Sequence, residues 1–236
     1  DYFGASVYFI TDRAQQFDWN NNEVSILLAY HKLLDKSNSQ YLSLGIGLGI
    51  TQRSINYDNL YFEDQFDGLS KYNGRTSELL PPNIFSKPSI KIGIQHQVNL
   101  KSNFKIQSGL ALHHVFRPDV SFYKDFDNID YIGNKSLKSD FKITGIVNGN
   151  YKINNFTDLY PKVLVSAQGA HLLTNIGFSI RRSFYNLNQT AIHTGINTSI
   201  IKNLNAIIPA DLGFLVGFEI KGFLILMHYD FGIRDA

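Results

Sequence analysis

Residues Tyr41–Ile50 read YLSLGIGLGI. Leu42, Leu44, Ile46, Leu48 and Ile50 fall at every second position, and Ser43, Gly45, Gly47 and Gly49 fall between them. Period two is the signature of a strand, whose successive side chains point to opposite faces. One face of this strand is purely aliphatic. The other carries almost no side chain at all.

The pattern recurs on both sides. Ile90, Ile92, Ile94, His96 and Val98 alternate with Lys91, Gly93, Gln95, Gln97 and Asn99. Phe104, Ile106, Ser108, Leu110 and Leu112 alternate with Lys105, Gln107, Gly109, Ala111 and His113. Ile192–Thr198 and Leu212–Ile220 repeat it, with His193, Gly195, Asn197, Asp211, Gly213, Gly217 and Glu219 on the polar side. Weaker versions cover 3–11, 23–34, 140–152, 160–169, 174–184 and 222–232. Together they predict about eleven strands of roughly 9–12 residues, the reach of a tilted membrane-crossing strand, where soluble sheets average nearer 5–6.

Connections alternate in length. Short turns are expected at 35–40, 101–103 and 154–158, and long loops at 56–88 and 117–140. Counting hairpins puts both long loops on one side, as in outer-membrane barrels with external loops and short periplasmic turns. The expected fold is all-β, an antiparallel transmembrane β-barrel, read as a single domain over 1–236. Bacterial barrels have even strand numbers, so a parent barrel of about 14 strands is expected, with first strands and a closing strand beyond this fragment.

Composition narrows the function. The chain has 236 residues, no Cys, 18 Phe, 13 Tyr, 18 Gly and a net charge of +2. Without Cys there is no disulfide framework, thiol nucleophile or Cys-ligated metal. So small a charge does not suit phosphate-driven nucleic-acid binding. Charged residues make up 18%, below the soluble average of about 25%.

No cofactor or metal site is expected. His113 and His114 are adjacent, so on a strand they point apart, and no zinc spacing occurs. No G-x-S-x-G nucleophile elbow is present, and the Gly45–Gly49 run lacks the Lys-Ser/Thr ending of a phosphate loop. An enzyme is not expected. Lys91, Lys105, Lys142, Asp211 and Glu219 lie on the polar strand faces. Lys or Arg on the lipid face would cost about 2–4 kcal/mol at the midplane, so this face is assigned to the lumen. Bulky Leu215, Val115 and Ile146 are expected to crowd it.

Two loops mix acids with rings. Asn56–Gly68 reads NYDNLYFEDQFDG, and 119–131 carries Phe122, Tyr123, Asp125, Phe126, Asp127 and Tyr131. Neither has calcium-loop spacing. Aromatics supply buried area at low entropic cost, so these loops are candidates for protein contact.

The run Gln52-Arg53-Ser54 followed by Asp58 and Asp64-Gln65-Phe66-Asp67-Gly68 resembles the PorP/SprF family of type IX secretion system outer-membrane proteins of Bacteroidetes. His113-His114-Val115-Phe116-Arg117-Pro118, Tyr229-Asp230-Phe231 and Thr11-Asp12-Arg13 fit the same family. The turn at 12–22 and the extension at 71–82 look longer than the family pattern.

The resemblance implies a non-enzymatic barrel that assists secretion or surface anchoring of a particular exported, adhesin-like protein, with roles in gliding motility. Its partners would be the C-terminal domain of that protein, periplasmic or outer-membrane machinery components, and the lipid bilayer. Partner contacts are expected at Tyr61, Phe62, Asp64, Phe66, Asp67, Phe122, Tyr123 and Asp125. Structural motif roles are expected at Gln52, Arg53, Ser54, Asp58, Gln65, Gly68, His114, Pro118, Tyr229 and Asp230. Two alternatives stay open, a transport barrel or porin for small solutes and a soluble β-protein.

Overall fold

Each of the expected segments forms a strand in the computed structural model. It describes residues 1–14, 18–35, 37, 39–69, 71–72, 76–122, 137–184, 189–202 and 206–233. The strands are β1 (Tyr2–Ala14), β2 (Trp19–Leu33), β3 (Gln40–Ser54), β4 (Ile84–Lys101), β5 (Phe104–His113), β6 (Lys142–Asn154), β7 (Thr157–Gln168), β8 (His171–Ser183), β9 (Thr190–Lys202), β10 (Ile207–Ile220) and β11 (Phe223–Gly232). They form one 11-stranded sheet in sequence order, antiparallel throughout. This is the architecture of an up-and-down barrel wall. No β1–β11 pairing is recorded among the described residues.

Register carries the alternation from strand to strand. Ile46 lies between Leu28 on β2 and Ile92 on β4. Ile196 lies between Phe178 on β8 and Phe214 on β10. Apolar residues thus meet across the ladders and build one outward apolar band. Rings cap it at the turn end, where Phe3 packs on Tyr30 and Phe104 on Tyr151. Toward the other end of β10 and β11, Phe231 packs on Phe214 and Tyr229. Such aromatic girdles sit at the two membrane interfaces of a barrel.

Among the described residues Ala191 is the one buried hydrophobic, while Leu44, Ile46, Leu48 and Ile50 are exposed. A soluble sandwich needs an apolar core between its sheets. This chain wears its apolar surface outside, which removes the soluble alternative.

The connections at 34–39, 102–103, 155–156, 184–189 and 221–222 share one end of the sheet, the turn end. Those at 15–18, 55–83, 114–141, 169–170 and 203–206 share the other, the loop end.

Several boundaries differ from expectation. β4 starts at Ile84, four residues before Pro88, and pairs Pro88 with Ile50. The β4–β5 ladder begins only at Lys91, so Pro88 sits where β4 has one paired edge, a place that tolerates a missing N–H. Pro161 on β7 falls in an unpaired stretch of the β6–β7 ladder, and a Cβ on Gly149 would meet its ring at 2.8 Å. Pro209 marks a break in the β9–β10 ladder. The early turn is not long, because Asp12 pairs with Asn21 and only 15–18 separate β1 from β2. Val115 lies beyond β5 rather than on the inner face. The strands run from 10 to 18 residues, and most exceed the roughly 9–12 expected because the ladders continue past the apolar band.

Candidate functional site

The loop at 55–83 is closed at its base by Ile55 N–H donating to the Asn83 carbonyl at 2.9 Å. Asn56 then caps a 3₁₀ turn (Tyr57–Asn59) by accepting the Asp58 N–H at 3.0 Å. A second such turn (Glu63–Gln65) is held by the Gln65 side chain, which accepts the Phe62 N–H at 2.8 Å. Asn and Gln do this because their short amides compete for local backbone groups.

Both motif carboxylates brace the loop. Asp64 accepts the Ser77 N–H at 2.5 Å, the Ser77 hydroxyl at 2.9 Å and the Thr76 hydroxyl at 3.0 Å. The Ser77 backbone donor, followed by the two hydroxyls, holds its carboxyl below the usual range. Asp67 accepts the N–H groups of Leu69 and Lys71 at 2.9 and 3.1 Å. Gly68 between them has φ of +80°, a conformation that suits glycine.

This frame presents a ring cluster. Tyr72 pairs with Phe66 in a β-bridge, and its ring lies 5.2 Å from Phe66 and 5.3 Å from Tyr61. Tyr61, Phe66 and Tyr72 are 73%, 45% and 49% exposed. Phe62 is half-buried. Tyr72 was not among the expected contacts. It lies in the stretch that read as an extension, and its signal was an aromatic just after the Asp67–Lys71 turn.

The described ends of the loop at 114–141 pack over the loop end of the wall. His114 and Arg117 have φ of +57° and +46°. Arg117 pairs with Asp140 at 3.2 Å and covers the Phe141 ring. Ser139 N–H donates to the Pro118 carbonyl at 2.9 Å, and Val120 N–H to Leu137 at 2.8 Å. Pro118, Val120 and Ser139 line a crevice with Thr51, Arg53 and Ser89, over the loop end of β3 and β4. Phe122 packs edge-on against Phe85 of β4 at 4.7 Å, so it is tied to the wall. Tyr123 and Asp125 lie outside the described residues.

The remaining motif residues are strand-end elements. Gln52, Arg53 and Ser54 pair with Ser86, Phe85 and Ile84, and Arg53 reaches Asn21 at 3.4 Å. Tyr229 faces outward on β11. Asp230 faces inward beside His228 at 3.3 Å.

The inner face holds two charged clusters. Near the loop end, Glu23 Oε1 accepts from Tyr8 (2.9 Å), Ser25 (3.0 Å), Ser89 (2.8 Å) and Lys91 Nζ (2.6 Å). Near the turn end, Arg181 forks onto both oxygens of Glu219 at 2.7 and 2.9 Å. His193 reaches the same carboxylate at 3.0 Å, and Asp158 lies 3.6 Å from Arg181. Each cluster spans three or more strands. Lys91 and Glu219 fall on the polar face as the sequence predicts, whereas Glu23, Arg181, Asp158 and His193 were not singled out as partners.

These residues tie walls together, and among the described residues no group of three or more His, Asp or Glu is placed to hold a metal ion. Between the clusters the inner face opens into a cavity of about 860 Å³, lined by Gln97, Lys105, Asn148, Asn175 and Asp230 among others.

The fold is similar to that of a solved outer membrane channel. The crystal structure of an outer membrane channel from Pseudomonas putida F1 superposes with a TM-score of 0.51 at 11% identity, covering 98% of this chain and 87% of that one. No curated protein matches the sequence. The family model described as type IX secretion system membrane protein PorP/SprF matches residues 1–236. With its whole length matched, the chain belongs to the PorP/SprF family of type IX secretion system membrane proteins, a secretion-system family and not an enzyme family.

Proposed function

We propose that this chain is a non-enzymatic outer-membrane barrel that docks one exported, adhesin-like protein at the cell surface and assists its secretion or anchoring. The observation that carries this reading is the exposed Tyr61–Phe66–Tyr72 cluster on its braced loop. Three rings on a preorganised frame have the composition of a binding hot spot, because their area is desolvated on contact with little further loss of freedom. Asp64 and Asp67 act twice, as braces and as charges that disfavour wrong partners. Phe62 and Phe122 support the loops from below. Tyr123 and Asp125 extend the contact from the second loop. The partner surface is the C-terminal domain of the exported protein, and machinery components approach from the turn end.

The test compares surface and secreted proteins with and without the gene. Loss of one specific exported protein from the surface, with others unchanged, is the expected result. An unchanged protein profile would overturn the reading.

A second reading is transport of small solutes. The inner cavity favours it. Stable conductance in planar-bilayer recordings, together with a solute-uptake defect on gene loss, would replace docking with transport.

A further inference from the structure

The inner face is electrically divided. On the wall from β2 to β6, Arg53, Lys87, Lys91, Lys105 and Lys142 face the single carboxylate of Glu23, by strand alternation and register. On the wall from β7 to β11, Asp158, Asp211, Glu219 and Asp230 outnumber Lys162 and Arg181. Walls of opposite sign across a low-dielectric cleft set up a field between them.

The cavity lies across this divide. Lys105 on β5 of the basic wall and Lys162 on β7, the first strand of the acidic wall, line it toward one side, and Asp230 on β11 lines it on the other. All three are exposed to it. Among the described residues neither lysine is in an ion pair. Between the charges stand carboxamides. Gln107 donates to Gln97 at 2.8 Å, and Asn175 donates to Ser199 at 3.0 Å. His228 Nε2 lies 2.8 Å from Asn197 Oδ1 and 3.3 Å from Asp230.

We propose that this cavity is a binding site for short zwitterionic peptides. The carboxylate end lies against Lys105 and Lys162, and the ammonium end lies against Asp230. Carboxamides suit the middle of such a ligand because each offers both a donor and an acceptor to peptide groups, whatever the side chains. A neutral sugar has no use for opposed charges, and a plain anion is repelled by Asp230. The volume fits within the roughly 300–1,000 Å³ of small-ligand sites. This inference stands apart from docking at the loop tip, and either can fail without the other.

The test uses the full chain purified in detergent, titrated calorimetrically with tri-alanine, with N-acetyl-tri-alanine amide and with maltotriose. Tri-alanine is expected to bind saturably, and the capped peptide and maltotriose about tenfold more weakly or worse. The double variant Lys105→Gln/Lys162→Gln and the single variant Asp230→Asn are each expected to weaken tri-alanine about tenfold. No saturable heat from tri-alanine at about 10 mM overturns the proposal. So does equal binding of the capped peptide or of maltotriose. The ligand comparison on the unaltered chain decides even if a variant fails to fold.

Discussion

Near the loop end, one oxygen of Glu23 gathers three hydroxyls and an ammonium; near the turn end, one guanidinium forks onto Glu219 and leans on Asp158. Both clusters lace neighbouring strands across the inner face, but they make room differently. The Glu23 cluster is closely packed. Ser25 and Ser89 are 1% and 3% exposed, and β3 contributes glycines beneath them. A Cβ on Gly49 would collide with Ser25 and the Val24 carbonyl, and one on Gly47 would meet Lys91 at 3.3 Å. The Arg181 cluster relies on geometry instead. Planar fork and carboxylate match, with His193 as a third strand's contribution. The lesson is that the glycine-faced strand serves an ion pair: bare backbone lets a short polar network close between β1 and β4.

The sharpest way to break the comparison is Glu23→Gln. It leaves Lys91 nearly buried without its carboxylate, and a loss of about 3 kcal/mol is expected, read as a lower urea midpoint in lipid vesicles. Gly49→Ala probes the same cluster through space alone. Overpacking against backbone should cost about 2 kcal/mol, where the same change at a site with open surroundings would not.

Arg181→Lys keeps the charge at the other cluster but loses the fork. Being partly hydrated, that site should lose only about 1 kcal/mol in the same assay. If Arg181→Lys proved more damaging than Glu23→Gln, the contrast between a packed and a fork-held cluster would be wrong.

The smallest effect lies in the turn at 34–39, outside both clusters. Hydroxyls of Ser37 and then Ser39, helped by the Gln40 and Ser39 N–H groups, hold the Asp35 carboxyl at about 2. Its folded value lies below the unfolded 3.8, so its contribution is present above that value and fades as pH falls through about 2. The Ser39 and Gln40 amide resonances should titrate near 2, and a midpoint near 3.8 would show that the turn does not hold the charge.

The strands were legible because each carries its own alternation, and Tyr41–Ile50 alone identifies the greasy face. Ends were less legible. Pro88 reads as loop, yet a proline on a half-paired edge costs the ladder little. Asp12 and Asn21 read as turn, yet polar residues above the apolar band still pair. The clusters could be seen only as separate charges, since Glu23 and Ser89 lie 66 positions apart and meet through register. At the loop tip, Tyr61 and Phe66 were visible within the motif. Tyr72 was hidden because the Asp67–Lys71 turn that folds it back is a three-dimensional event.

The central claim is that the ring cluster at the loop tip holds the exported protein. The direct measurement is surface display of that protein in cells carrying Tyr61→Ala/Phe66→Ala/Tyr72→Ala at wild-type barrel abundance. The account predicts loss of the partner from the surface with the barrel intact and other exported proteins unchanged. Normal display of every exported protein would contradict it.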